Sequence, residues 1–307
     1  IQAQIVDLLK AVQRRAGVAV LFVTHDFSLV AELADRTYVM YNGQVVEEGS
    51  AHRIFQSPQH PYTRGLIDCV LTVGQGKSTL RTIAGEVPAS GDCLQGCRFA
   101  PRCVSGIERC GAEAPPLRYD TDGWVRCWRE PGEISSPATA AQLGGAESGG
   151  SPRGSQAGDT VIRVDNVTKT FPVRGGSFGG NRSLVRAVNG VSLEVKQGEF
   201  FALVGESGSG KSTLGYMIVG LESPDDGRIT VGAHDAARWS RSRSVRPLCQ
   251  MVFQDPYSSL NPRKSIRDTL AQPLMNFGLA NGSQSLGEGV TGLLEQVGLH
   301  PSSDYLD

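Results

Sequence analysis

What this sequence has little of narrows it first. None of its 307 residues form an apolar run near the roughly 20 residues that a membrane-spanning helix needs. Val18-Ala-Val-Leu-Phe-Val23, one of its apolar stretches, is far too short. Net charge is nearly absent. The 30 Lys and Arg stand against 31 Asp and Glu, a balance of −1, which gives no electrostatic reason to expect a nucleic-acid partner. No secretory leader opens the chain, so a cytosolic location is the default expectation. An initiating Met is missing too. The chain begins at Ile1 within a helical pattern and stops at Asp307 without a terminating signal, which predicts a piece of a longer protein. What remains is ordinary: 39% hydrophobic and 20% charged residues, over a length that suits about two domains.

The strongest motif is Gly205-Glu-Ser-Gly-Ser-Gly-Lys-Ser-Thr213, which fits the phosphate-cradling pattern G-x-x-x-x-G-K-[ST]. The buried-strand pattern Phe200-Phe-Ala-Leu-Val204 precedes it, and Thr213 to Leu221 follows with helical spacing. Glycines let the backbone wrap close to phosphates, and the helix N-terminus adds partial positive charge. The candidate nucleotide-binding residues are therefore Gly205, Glu206, Ser207, Gly208, Ser209, Gly210, Lys211, Ser212 and Thr213. Lys211 is expected to reach the β- and γ-phosphates, and the Ser212 hydroxyl to ligate Mg²⁺.

From the start of the chain, Ile1 to Gln13 predicts an amphipathic helix and Val18 to Thr24 a short strand. Thr24-His25-Asp26 stands at the strand's carboxyl end, where ligand contacts gather in open α/β sheets. Phe27 to Ala34 predicts a helix, Thr37 to Tyr41 a strand, and Asn42-Gly43 a hairpin turn into Gln44-Val-Val-Glu-Glu48. Val23-Thr-His-Asp26, Ala34-Asp-Arg36 and Val39 to Gly49 together resemble the C-terminal part of an ABC transporter nucleotide-binding domain. The resemblance makes His25 the switch histidine, which contacts the γ-phosphate and positions the attacking water. His60-Pro-Tyr-Thr-Arg-Gly-Leu66 resembles the tail of the ATPases that power oligopeptide, dipeptide and nickel import. His52 and His60 themselves are read as surface or capping residues. Gly76-Lys-Ser-Thr79 is a decoy, because Leu71 stands where a phosphate loop needs glycine.

Five of the seven cysteines fall between Cys93 and Cys127. In a cytosolic chain, clustered thiols point to a metal site more than to disulfides, and thiolates suit zinc or an iron–sulfur cluster. The spacings fit neither the usual zinc-finger pattern nor the common ferredoxin runs. Gly96 to Cys103, Cys110, Pro115-Pro-Leu117 and Val125-Arg-Cys127 resemble the peptide importers' C-terminal extension. That resemblance favours a [4Fe–4S] cluster on Cys97, Cys103, Cys110 and Cys127, with structural zinc or labile thiols as the alternatives. Cys93 is extra to the pattern, and Cys69 and Cys249 are expected to be buried and inert.

Residues 130–159 are dense in Gly, Ser, Ala and Pro and predict a disordered linker. Beyond it, Val161 to Val167 and Val185 to Val195 alternate as strands. Phe171 matches the ABC aromatic that stacks on adenine. Gln250 to Arg263 resembles the Q-loop in its peptide-importer form, with Met251-Val-Phe253 expected as a strand. Gln254 would then ligate Mg²⁺ or its water, and the loop after it would touch membrane subunits. Helices are expected over Ser265 to Phe277 and Gly287 to Val297.

The expected fold is thus α/β, of the P-loop NTPase (ABC ATPase) kind, in four parts. Residues 1–70 read as the C-terminal part of a first nucleotide-binding domain, 71–129 as the Cys-rich extension, 130–159 as the linker and 160–307 as the N-terminal part of a second domain. No Leu-Ser-Gly-Gly signature occurs in the chain, and no apolar strand ends in Asp-Glu. The resemblance therefore implies part of a fused importer ATPase, peripheral to the cytoplasmic face of the membrane. It implies head-to-tail pairing of the ATP-binding domains, permease partners and, indirectly, an extracytoplasmic solute-binding protein. ATP hydrolysis would drive peptide uptake in the parent, the segment itself being hydrolysis-deficient, with His25 and Lys211 serving different ATP sites. A repair or translation ATPase should lack the His60-Pro-Tyr-Thr and Asp255-Pro-Tyr segments, and both are present. The other reading is an ABC ATPase scaffold carrying a redox- or metal-sensing cysteine module.

Overall fold

The computed structural model describes residues 2–69, 83–88, 95–130, 159–173, 183–236, 246–253, 260–280, 282–296 and 299. The chain divides into two compact units, residues 1–242 and 243–307.

The first unit is built around the strand that leads into the glycine loop. Strand β8 (Phe200–Val204) is buried at all five positions. A strand this apolar has to be paired along both edges and covered on both faces. Its partners come from the far end of the chain. Strand β1 (Val20–Thr24) lies parallel on one edge, with Thr24 opposite Val204. Strand β2 (Arg36–Tyr41) lies parallel on the other, with Val39 opposite Val204. Helix α1 (Gln2–Ala16) precedes β1, and α2 (Phe27–Leu33) connects β1 to β2. Asp26 caps α2 by accepting from the Ser28 amide at 2.9 Å.

Strand β3 (Gln44–Ser50) pairs antiparallel with β2 across a turn in which Asn42 and Gly43 take φ of 44° and 79°. Both central residues of this tight hairpin need positive φ, which Asn and Gly tolerate best. Two short helices follow, α3 (Ala51–Gln56) and α4 (Pro61–Asp68). The cysteine segment contributes α5 (Glu108–Ala112) and a hairpin, β4 (Leu117–Asp120) and β5 (Gly123–Arg126), whose β5 edge pairs with β3. Gly123 is required at that join, because a Cβ there would stand 2.0 Å from the Glu48 carbonyl oxygen. The sheet order is β1-β8-β2-β3-β5-β4.

Strands from both sides of the linker, Val20–Ser50 and Leu117–Arg126 before it and Phe200–Val204 after it, therefore share one sheet. Neither segment alone can satisfy β8: the second supplies the strand, and the first supplies both of its edges. The side chains agree. One core joins Phe27, Val39, Tyr41, Ile54 and Tyr62 with Phe99 of the cysteine segment and with Ala202 and Val204. Arg36 of β2 bonds Glu199 at 2.8 Å, and Asp35 accepts from the Phe200 amide at 2.8 Å.

A second sheet, ordered β10-β9-β6-β7, covers the loop from the other side of the sequence. It consists of β6 (Thr160–Val173), β7 (Ser183–Lys196), β9 (Asp226–Val231) and β10 (His234–Asp235). Helix α6 (Lys211–Ile218) begins at the motif lysine, two residues earlier than the apolar spacing predicts.

The second unit contains α7 (Ile266–Asn276) and α8 (Ser283–Gln296), packed through Ala271, Val290 and Leu294. Ser265 caps α7 by accepting from Asp268 N at 3.1 Å. The expected strand at Met251–Phe253 does not form; Val252 is 92% exposed, so alternation there builds no buried face. The linker's residues 131–158, and Gln254, Cys93 and the decoy loop at 76–79, lie outside the described residues.

Candidate nucleotide site and cysteine cavity

Between β8 and α6 the chain makes a loop that only glycine permits at three positions. Gly205, Gly208 and Gly210 have φ of 150°, 77° and 99°. A Cβ on Gly205 would stand 2.1 Å from the Met40 carbonyl oxygen, and one on Gly210 would stand 2.1 Å from that of Ala187. The loop is thus wedged between β2 and β7. The hairpin turn holds it as well: Gly43 N donates to Ser209 O at 2.9 Å, and Asn189 N donates to Gly43 O at 2.9 Å.

The Lys211 side chain is folded into the loop. Its ammonium donates to the carbonyls of Gly205 and Glu206, both at 2.8 Å, and to Ser209 Oγ at 3.1 Å. Burial pushes its pKa down to about 8, against the raising effect of Glu206. Ser207, Gly208 and Ser212 are exposed, Thr213 is half-buried, and Ser212 stands in the first turn of α6. The fit to a nucleotide phosphate rests on these features: a cradle that a Cβ would fill, a helix N-terminus and a lysine ready to move from carbonyls to phosphate oxygens.

His25 follows β1, and the parallel register with β8 brings residues 25 and 205 out side by side at the same edge of the sheet. The side chain is exposed. His25 and Gly205 thus leave the sheet at the same end. Phe171 is half-buried on β6 with the Lys169 ammonium 5.3 Å from its ring centre. It pairs with Val185, two residues along β7 from Ala187, which abuts Gly210.

Two residues that sequence reasoning missed close on Glu206. Arg102, whose side chain is 5% exposed, forks onto the Glu206 carboxylate at 2.8 and 3.1 Å. The same two nitrogens also donate, Nη1 to Tyr41 Oη at 3.4 Å and Nη2 to Ile83 O at 3.3 Å, and Nε donates to Ala84 O at 3.1 Å. The Tyr62 hydroxyl accepts from the Glu206 amide at 2.8 Å. No local signal could have found these contacts, since they join positions 104 and 144 residues apart.

The four cysteines of the expected set, Cys97, Cys103, Cys110 and Cys127, line one cavity together with His60, Phe99 and Trp128. All four are free thiols. Burial pushes the Cys97 thiol up to about 11 and also raises Cys103 and Cys127. Gly96 lets the Cys97 loop approach α5: Cys97 N donates to Cys110 O at 2.7 Å, and a Cβ on Gly96 would stand 2.2 Å from that same oxygen. His60 is fully buried rather than on the surface. It does cap α4, its Nδ1 accepting from the Tyr62 amide at 3.1 Å, and the turn that carries it is held by Glu47, which accepts from Gln59 N and His60 N at 2.7 and 2.9 Å. Burial pushes its pKa down to about 3, so the ring is neutral with the proton on Nε2, and among the described residues that atom has no hydrogen-bond partner. A thiol set beside an orphaned donor is chemically suited to a metal or cluster. Among the described residues, however, no three His, Cys, Asp or Glu side chains stand at metal-holding distance. Cys69 is exposed and Cys249 half-buried, where both were expected inside.

Strand, glycine loop and helix, with the lysine seated in the loop, define an α/β phosphate-loop protein of the nucleotide-binding class. Two family models match: "Oligopeptide/dipeptide transporter, C-terminal region" over residues 46–110 and "ABC transporter" over residues 188–306. The oligopeptide transport ATP-binding protein OppD of Mycobacterium tuberculosis is 39% identical over 305 residues, covering 97% of this chain and 49% of its own length. The glutathione import ATP-binding protein GsiA of Escherichia coli (strain K12) is 35% identical over 305 residues, covering 98% of this chain and 40% of its own. A dimeric ATP-binding cassette, MJ0796, bound to ADP and Pi overlaps 48% of this chain and 63% of its own, at 23% identity and a TM-score of 0.35. The chain is thus similar to ABC transporter ATP-binding proteins over residues 188–306 and to the oligopeptide/dipeptide transporter C-terminal region over residues 46–110. It spans about half the length, or less, of the curated relatives it matches.

Proposed function

We propose that this chain is part of the ATPase of an ABC importer for peptides or a similar small solute. The observation that carries the reading is the Lys211-filled glycine loop, whose leading strand shares a core with Tyr62 of the His60-Pro-Tyr-Thr segment. In this reading Lys211 and the loop amides hold the β- and γ-phosphates, Ser212 and Gln254 hold Mg²⁺, and Phe171 stacks on adenine. His25, leaving the sheet beside Gly205, contacts the γ-phosphate. Residues 1–70 derive from the end of one ABC domain, 71–129 from its extension, and 160–307 from the start of the next, joined by the 130–159 linker. The parent works by head-to-tail pairing of its ATP-binding domains on permease subunits at the cytoplasmic face of the membrane, fed by a solute-binding protein. This chain binds nucleotide but does not turn it over, because its sequence offers no Asp-Glu-ended strand for a general base and no signature for the opposite phosphate face.

Titration of the 307-residue chain with Mg-ATP, beside a phosphate-release assay, tests this. Saturable binding that disappears in Lys211→Ala, without sustained phosphate release, is expected. Absent binding overturns the nucleotide reading, and sustained Lys211-dependent release overturns the inactivity.

For the cysteine cavity, the reading is a [4Fe–4S] cluster on Cys97, Cys103, Cys110 and Cys127, which when bound would supply a redox-active centre. Iron with acid-labile sulfide in anaerobically purified protein is the expected result; zinc without sulfide replaces the cluster with a structural metal. The packing of this cavity against the loop-binding residues also favours a second reading, a sensing module on an ATPase scaffold. A redox titration followed by nucleotide affinity separates the two.

A further inference from the structure

Two short stretches connect the cysteine cavity to the phosphate loop, and both end on Glu206. In one, Cys103 lines the cavity while its neighbour Arg102 forks onto the Glu206 carboxylate. In the other, His60 lines the cavity while Tyr62, two residues on, accepts from the Glu206 amide. Glu206 is the second residue of the glycine loop, and its carbonyl is one of the three acceptors that hold the Lys211 ammonium. We propose that Arg102 is a positioning residue for nucleotide binding: carried by the cysteine segment, it neutralises and fixes the Glu206 carboxylate so that the loop can receive phosphate.

The chemistry follows from charge and geometry. A carboxylate within the phosphate cradle repels an incoming polyphosphate unless a cation holds it. Arg102 supplies that cation in a two-pronged, nearly buried fork, which fixes direction as well as charge. All of the guanidinium's nitrogens have acceptors in the chain, so the arginine is anchored and does not follow the ligand. Lysine at 102 would keep the charge without the fork.

The proposal rests on the nucleotide reading, and the test separates the two. Mg-ATP affinity is measured for the full chain and for Arg102→Ala, Arg102→Lys, Glu206→Gln and the double variant Arg102→Ala/Glu206→Gln, with thermal unfolding of each as a check on folding. Arg102→Ala is expected to weaken binding about tenfold, which corresponds to about 1.4 kcal/mol. Glu206→Gln removes the charge that Arg102 neutralises, and its own affinity is the reference for the double variant. In that background Arg102→Ala then costs less than about twofold, well within additive error. Arg102→Lys falls between the wild type and Arg102→Ala. A merely structural arginine would lower the unfolding temperature equally in both backgrounds, with affinity following stability; that result, or an undiminished tenfold loss in the Glu206→Gln background, overturns the proposal. If Arg102→Ala fails to fold, the comparison of Arg102→Lys with and without Glu206→Gln decides in the same way. A wild-type chain that binds no nucleotide overturns the functional reading itself, and the positioning role with it.

Discussion

In the phosphate loop the charged groups have found partners within the chain. Lys211 Nζ meets three acceptors, and the Glu206 carboxylate meets two guanidinium nitrogens. Around the cysteine cavity, a few residues away along His60–Tyr62, four thiols stand outside any disulfide and His60 Nε2 has no hydrogen-bond partner among the described residues. Both places bring together residues suited to a ligand, but with different hydrogen bonding. The loop is closed on its own lysine, so an arriving phosphate exchanges one set of hydrogen bonds for another. At the cavity a group that accepts from His60 Nε2 would satisfy a buried donor, an effect of roughly 1–3 kcal/mol. A ligand at the cavity therefore adds stability to the fold, whereas a ligand at the loop mainly redirects bonds that already exist.

The largest effect expected on the loop side comes from Gly210→Ala. The new Cβ would stand 2.1 Å from the Ala187 carbonyl oxygen, at a φ of 99°. Backbone strain of this kind costs about 1–3 kcal/mol before the clash is counted. With tenfold in affinity for each 1.4 kcal/mol, Mg-ATP binding should weaken by about 100-fold or more. Wild-type affinity in this variant would mean that the loop does not need its wedge between β2 and β7.

How much of each region could be read from the sequence follows from the range of its contacts. The glycine loop was legible because strand, loop and helix are consecutive, and each glycine answers to a local φ. Its lysine and helix start were found within two residues. The four cysteines were legible as a set, and they do share a cavity. What could not be read was the closure of the sheet. Nothing in Phe200–Val204 says that its edges will be taken by Val20–Thr24 and Arg36–Tyr41 rather than by strands of its own segment, because apolar strands specify burial and not partners. The same blindness hid Arg102, whose role depends on a carboxylate 104 residues away. His60 was half legible: the cap is written in His60-Pro61, but its burial comes from Glu47 and Phe99. At Met251–Phe253 a strand-like triplet gave no strand, since a short apolar run without a sheet edge to join carries no structure.

A tenfold effect, opposite in sign for two observables, is expected from pH. Lys211 titrates near 10.5 when unfolded, and burial brings it down to about 8 in the folded chain. Between those values the unfolded chain holds more protons, so stability of the free protein rises with pH. Below about 8 the cost of burying the charge is fully present. Phosphate binding needs the ammonium, so nucleotide affinity should instead fall above pH 8, by up to about tenfold per pH unit. Denaturant unfolding and titration calorimetry from pH 7 to 10 check both slopes. Lys211→Met should flatten the stability slope, and parallel trends in the wild type would show that another group controls the loop.

The smallest effects fall on the cysteine side, and they decide whether the cavity is a site or a coincidence of buried thiols. Cys110 is buried, and Cys69 is exposed. Replacing a buried thiol with a hydroxyl that lacks a ready partner costs about 1–3 kcal/mol, so Cys110→Ser should lower the urea midpoint clearly. Cys69→Ser, on the surface, should stay within about 0.5 kcal/mol. Stability alone would rank the two this way in any protein. Bound metal is the sharper measurement, because it separates packing from ligation. If the cavity binds iron or zinc, Cys110→Ser loses most of it and Cys69→Ser keeps it. If Cys110→Ser is destabilised while neither variant nor the wild type holds metal, then the thiols are packing groups and the orphaned His60 proton needs another acceptor.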